Sequence, residues 1–200
     1  MPDAYITRTG SFLPGEPVDN EGLVRYMGSL LGEAKIRQKI LSVNGIKTRH
    51  YALDQQQAIT HSAYELAAKA VQNCLASEYP QPDYLAAGST HTPVLAPGLS
   101  SLLHDQLSQQ KVISYLLEIS SHSGICSSGA QALVNASRTV KAGEAKAALC
   151  VGVEQPSAAM RSKVFRPTYD LWTMYNDIRS SKWFMATFLR FMLSDGAGAF

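Results

Sequence analysis

The chain has 200 residues, 46% hydrophobic and 17% charged. That balance excludes a disordered chain and suits one domain of ordinary size or one large half of a bigger fold. Eighteen Lys and Arg against 16 Asp and Glu leave a formal net charge of +2, which gives no footing for nucleic-acid binding.

The start, Met1-Pro2-Asp3-Ala4-Tyr5, has neither the basic cluster nor the apolar run of a secretory signal. The longest apolar stretch near the end, Trp183 to Leu193, is broken by Thr187 and Arg190 and falls short of the roughly 20 residues of a membrane span. Cys74, Cys126 and Cys150 are too few and too scattered for a disulfide framework or a zinc site, so a reducing, cytoplasmic compartment and no metal are expected.

In chain order, a short opening strand is predicted around Ala4–Thr7, followed by turn chemistry at Pro14-Gly15-Glu16-Pro17. Asp19 offers an N-cap, and Leu23, Met27, Leu30 and Leu31 fall at helical spacing until Gly32 interrupts. A second helix spans Glu33 to Leu41 on an Ile36, Ile40, Leu41 stripe, Asn44-Gly45 turns the chain, and Ile46 to Leu53 reads as extended but polar. The clearest helix follows. Ala63, Leu66, Ala67, Ala70, Val71, Cys74 and Leu75 share one face, Ser62 and Glu65 form a capping box, and Cys74 reads as a small core residue.

Tyr84 to Gly88 is a short buried strand, Gly98 to Gln109 a helix, and Val112 to Ile119 the next strand candidate. A polar loop, Ser120 to Ser123, leads into a small-residue helix that Gly143 stops at Ala142. Ala145 to Val153 is nearly all apolar, as in a strand buried on both faces. Strands alternating with helices predict an α/β fold with a mostly parallel sheet. The closing Ser194-Asp195-Gly196-Ala197-Gly198 lacks the third glycine and the following helix of a dinucleotide-binding loop.

The informative segment is Gly124-Ile125-Cys126-Ser127-Ser128-Gly129, where a strand turns into the small-residue helix. Unpaired amides of a first helical turn favour a thiolate and can hold an oxyanion, while Gly124 and Gly129 permit a tight turn and close packing. Spacing alone leaves a structural cysteine and a nucleophile both open. No Gly-x-Ser-x-Gly elbow is present.

Together with the helix–glycine–strand run Val140 to Glu154, the Ser194-Asp195-Gly196-Ala197-Gly198-Ala199 segment and Asn44-Gly45-Ile46-Lys47-Thr48-Arg49, this segment resembles the thiolase-like condensing enzymes, most closely their ketoacyl-ACP synthase III branch. The resemblance runs along essentially the whole chain. It implies a thiolase-like fold, a layered α-β-α-β-α sandwich of which residues 1–200 are the N-terminal half. An insertion is expected at about 155–193 and the C-terminal half is absent; the small, apolar ending at Phe200 reads as a cut through a larger domain.

The resemblance also implies chemistry. Cys126 would accept an acyl group from an acyl-CoA or acyl-carrier-protein thioester, and its own N–H would form one arm of the oxyanion hole, with Gly124 and Gly129 shaping the turn. A carbon–carbon bond then forms by Claisen-type condensation, with no cofactor beyond the thioesters. The family's catalytic histidine and asparagine belong to the second half, and none of His50, His61, His91, His104 or His122 matches them. A homodimer is implied, with Thr92 and Leu95 in a segment that reaches the partner's acyl pocket.

Three departures point to a specialised relative, such as enzymes that join two acyl thioesters into alkylresorcinols or cyclohexanediones. Lys39 and Val43 stand where the priming enzymes clamp the CoA adenine, and Ser194 replaces a glycine. The insertion interleaves Arg161, Lys163, Arg166, Arg179, Lys182 and Arg190 with Phe165, Tyr169, Trp172, Tyr175, Trp183 and Phe184. That suits docking an acidic carrier protein, or else a solvated face over a local core. A non-condensing acyl transferase or thioesterase of the same fold, and a non-catalytic partner subunit, remain the alternatives.

Overall fold

The computed structural model describes residues 3–30, 33–75, 81–113, 115–165 and 188–200. The chain divides into two compact units, Met1–Leu13 with Ser62–Glu154 and Gly196–Phe200, and Pro14–His61 with Gln155–Asp195.

The first unit is built on a five-stranded sheet of order β1-β7-β6-β4-β5. Its strands are β1 (Gly10–Phe12), β4 (Tyr84–Gly88), β5 (Glu118–His122), β6 (Ala148–Glu154) and β7 (Gly196–Ala199). Here β4 pairs in parallel with β5 and β6, while β7 lies antiparallel between β1 and β6. Four strands therefore run one way and only β7 runs against them. The α/β reading with a mostly parallel sheet holds. All five residues of β4 are buried, which requires cover on both faces. The Gly-Ala-Gly-Ala tail is a strand with its alanines buried and its glycines half-buried, so it is no phosphate loop.

Helix α3 (Ala63–Cys74) buries the predicted stripe as far as Cys74, with Leu75 half-buried just beyond its end, and packs on β1 and β7. Its capping box forms as read, with Ser62 Oγ accepting from Glu65 N–H and Glu65 Oε2 accepting from Ser62 N–H at 2.7 Å. Such a cap contributes about 1 kcal/mol. Helix α4 (Leu99–Gln109) packs on α3 and β4, and α5 (Ser128–Ala142) on β4, β5 and β6. Gly143, at φ 78°, ends α5 in the left-handed conformation.

Two strands lie elsewhere than expected. Tyr5 and Ile6 are largely exposed, and the first strand is Gly10–Phe12, where a bare glycine backbone can pair with β7 and approach α3: a Cβ on Gly10 would sit 2.4 Å from Cys74 N. The strand predicted at Val112–Ile119 is instead Glu118–His122, including most of the supposed polar loop. It is an edge strand paired on one side, so polar residues cost it little. The apolar Val112 and Ile113 instead fold back on the end of α4, both donating to Leu107 O.

The second unit contains a two-stranded ribbon, β2 (Val18–Asp19) antiparallel to β3 (Thr48–Arg49). Around it lie α1 (Leu23–Met27), α2 (Ala34–Val43), α6 (Pro156–Met160), α7 (Ser162–Phe165) and a helical turn at Arg190–Met192. Val18, Leu23, Met27, Tyr51, Leu53, Met160 and Phe191 form its apolar core, with Ile40 and Leu41 packed against it. Helix α1 ends at Gly28, four residues before the predicted break, because Gly28 takes φ 69°. Asp19 is not the N-cap: α1 begins after Gly22 without a side-chain cap, and Asp19, at the end of β2, accepts from Gly22 N–H at 2.7 Å in the turn before it. Ile46–Leu53 is less polar than it looked, with Arg49, Tyr51, Ala52 and Leu53 all buried.

Charge is buried here. Arg190 pairs with Glu33 at 2.5 Å and donates to the carbonyls of Met27, Gly28 and Met160. Burial pulls its guanidinium below the usual range, opposed by Glu33. Arg49 donates to Phe191 O and Asn20 Oδ1, and Asp195 accepts from Ala52 N–H, Ser157 N–H and Ser157 Oγ. Burial pushes the Asp195 carboxyl up against those bonds.

The reading of the insertion's cations as a docking face is corrected at Arg190, which is buried, while Arg161 is half-buried and Lys163 exposed. Arg190 is an internal ion-pair partner, while Arg161 and Lys163 donate to the carbonyls of Gln57 and Gln56. Phe165 is buried. The insertion's other named charges and aromatics, from Arg166 to Phe184, lie outside the described residues, as do Leu31 and Gly32. Among the described residues, no helix is long and apolar enough to cross a membrane.

Candidate active site

All three cysteines are described, and their surroundings separate them. Cys74 is buried on α3, and burial pushes its thiol up. Cys150 is buried on β6, its thiol pushed up to about 12 by loss of water. Both stay protonated and shielded at neutral pH. Cys126 alone is exposed, two residues before the first turn of α5.

The elbow that carries Cys126 is built by small residues at the C-terminal ends of parallel strands. Gly88 and Gly152 are paired across β4 and β6. A Cβ on Gly88 would stand 2.2 Å from Ser128 O, and one on Gly152 would stand 3.3 Å from the Cα of Gly129. Glycine at these places lets the start of α5 rest directly on the strand ends. That is the packing role expected for Gly129.

Ile125, just before the cysteine, takes φ 52°. For a β-branched residue this left-handed conformation costs about 1–3 kcal/mol. Its carbonyl accepts three donors: Ser128 N–H at 3.1 Å, Ser128 Oγ at 2.7 Å and Thr90 Oγ1 at 2.8 Å. Gly124 N–H donates to Ser128 Oγ and Ser127 N–H to Gly124 O, so Gly124 serves the turn and its amide is occupied. Among the described residues, the N–H groups of Cys126, Gly129 and Ala130 make no hydrogen bond. The elbow thus presents an exposed sulfur with unpaired amides beside it in sequence, the donor set an oxyanion needs.

His122 ends β5, with Nε2 2.9 Å from Ser120 Oγ, and Ser120 in turn contacts Tyr84 and Asn135. It belongs to a polar network. Thr92 is half-buried and Leu95 fully exposed, on the loop between β4 and α4. The sequence reading missed Thr90 and Glu154. Their only signal was position, since both stand at the C-terminal ends of parallel strands, where α/β sheets gather their sites.

The family profile described as the N-terminal domain of thiolase matches residues 42–180, well over half of the chain. The structure is similar to AbyA1, a tetronic acid condensing enzyme, at 28% identity and TM-score 0.66, covering 96% of this chain and 52% of that one. It is also similar to 3-oxoacyl-(acyl carrier protein) synthase III from Pseudomonas aeruginosa, at 20% identity and TM-score 0.62, covering 99% and 50%. OleA from Xanthomonas campestris matches at 16% identity and TM-score 0.67, covering 99% and 57%. The last two likenesses speak to the fold alone. The chain spans about half the length of the solved structures it matches.

Proposed function

This chain belongs to the thiolase family through its N-terminal domain, and on that premise we propose that it carries the acyl-accepting cysteine of a carbon–carbon-forming acyltransferase. The Cys126 sulfur attacks the carbonyl carbon of an acyl thioester, drawn from CoA or an acyl carrier protein. The carbonyl oxygen becomes an oxyanion facing the amides of the elbow, and the departing thiolate carries away the electron pair of the broken C–S bond. A second thioester, made a carbanion by loss of carbon dioxide or of a proton, then attacks the acyl-cysteine. Cys126 leaves as thiolate and a β-ketoacyl product forms.

The single observation that carries this reading is the exposed Cys126 on a strained elbow beside unpaired amides, in a chain whose other two thiols are buried. By the family resemblance a histidine and an asparagine of the second half would move the protons, and none of this chain's five histidines matches that histidine. The 28% likeness to a tetronic acid condensing enzyme supports a specialised condensation over acetyl-CoA priming. A homodimer in the cytoplasm belongs to the same reading. The outer edge of β5, unpaired among the described residues, and exposed Leu95 near Thr92 support the pairing.

Replacing Cys126 by Ala in the protein that carries this chain tests the reading. Product formation from two acyl thioesters is expected to vanish, with unchanged far-UV circular dichroism. Retained turnover would remove the mechanism.

A further inference from the structure

We propose that Thr90 is a positioning residue for the oxyanion donor of Cys126. The inference rests on the acyl-accepting role proposed above.

A peptide unit is planar, so its C=O and N–H point in opposite, fixed directions. The unit between Ile125 and Cys126 offers the Ile125 carbonyl on one side and the Cys126 N–H on the other. Whatever holds that carbonyl also aims that N–H. Two of the three donors to it come from Ser128, within the elbow itself, and would travel with the elbow if it moved. The third, Thr90 Oγ1 at 2.8 Å, comes from 35 positions earlier, just past the end of β4. Among the described residues, Thr90 is the donor that ties this peptide to the sheet.

Thr90 is itself held. Glu154, the last residue of β6, accepts from Thr90 N–H at 2.7 Å and lies 2.6 Å from its hydroxyl oxygen. A hydroxyl has one proton. That proton has two acceptors in reach, the Glu154 carboxylate at 2.6 Å and the Ile125 carbonyl at 2.8 Å, and bridges them. Adjacent strand ends, one bearing Thr90 and the other Glu154, thus reach the peptide before the sulfur. Packing does not do this work, because Ile125 is 71% exposed.

The test compares two reactions of the same sulfur. Acylation by an acyl-CoA passes through an oxyanion and needs the aimed N–H; alkylation by iodoacetamide forms no oxyanion and needs only an accessible sulfur. Both rates are followed at Cys126 by mass spectrometry, in the protein that carries this chain and in its Thr90→Val and Thr90→Ser variants.

Thr90→Val is expected to slow acylation about tenfold, the worth of one well-placed hydrogen bond, and alkylation by less than about twofold. Thr90→Ser keeps the hydroxyl and is expected to restore acylation. Equal acylation rates in wild type and Thr90→Val would overturn the proposal alone. So would a parallel fall of both reactions that Thr90→Ser does not repair, since that marks a damaged fold. A wild-type protein that accepts no acyl group overturns the parent reading and this one with it.

Discussion

The start of α5 in the first unit and the surroundings of Arg190 in the second solve opposite problems. At the elbow, side chains are removed: Gly88, Gly129 and Gly152 let backbone meet backbone, and amides are left unpaired beside an exposed sulfur. Around Arg190, side chains supply the bonds. One guanidinium satisfies a carboxylate and three carbonyls that the local backbone leaves open. The lesson is that the elbow leaves its donors unpaired where water or a substrate can reach them, while the buried Arg190 is matched by a carboxylate and three carbonyls.

That contrast can be broken first at its most expensive point. Arg190→Met keeps much of the volume but leaves Glu33 to Arg37 alone, at 3.2 Å, and the three carbonyls without this donor, and is expected to cost about 3–5 kcal/mol in urea unfolding. A cost below about 1 kcal/mol would mean that the second unit does not depend on its buried charge.

Gly88→Ala attacks the other region. Its added methyl would meet the backbone oxygen of Ser128, which cannot swing aside as a flexible side chain would. A loss of about 1–3 kcal/mol is expected, together with slower acylation of Cys126 as α5 lifts from the strand end. Full stability with full reactivity would show that the close approach is dispensable.

The smallest effect sharpens the difference between the exposed sulfur and a buried one. The Cys150 thiol is raised to about 12 in the folded chain, above its ordinary value near 9. Below pH 9 both states keep the proton and stability is independent of this group. Between about 9 and 12 the unfolded chain loses the proton first, so stability falls by about 1.4 kcal/mol per pH unit. Urea titrations at pH 9 and 10 are expected to differ by about 1 kcal/mol through this group, since the unfolded thiol is only half ionised at pH 9, and Cys150→Ala is expected to remove that share. An unchanged slope would mean that Cys150 is less enclosed than described.

What was legible in the sequence follows from the range of the forces involved. The stripe and capping box of α3, the glycine stop after α5 and the apolar β6 are local patterns, and each forms as read. The same holds for the strand-to-helix position of Cys126. Strand β5 was misplaced because an edge strand carries no hydrophobic signature of its own. The buried roles of Arg190 and Asp195 depend on partners more than a hundred residues earlier in the chain, Glu33 and Ala52. The left-handed Ile125 was unreadable because β-branched residues disfavour that conformation; only the converging donors reveal why it is held.

The most direct measurement is peptide mapping by mass spectrometry after the protein that carries this chain is incubated with an acyl-CoA. One acyl group on Cys126, with Cys74 and Cys150 unmodified, is the predicted result. An unmodified Cys126 in a folded protein, or an acyl group carried by another residue, would contradict the account.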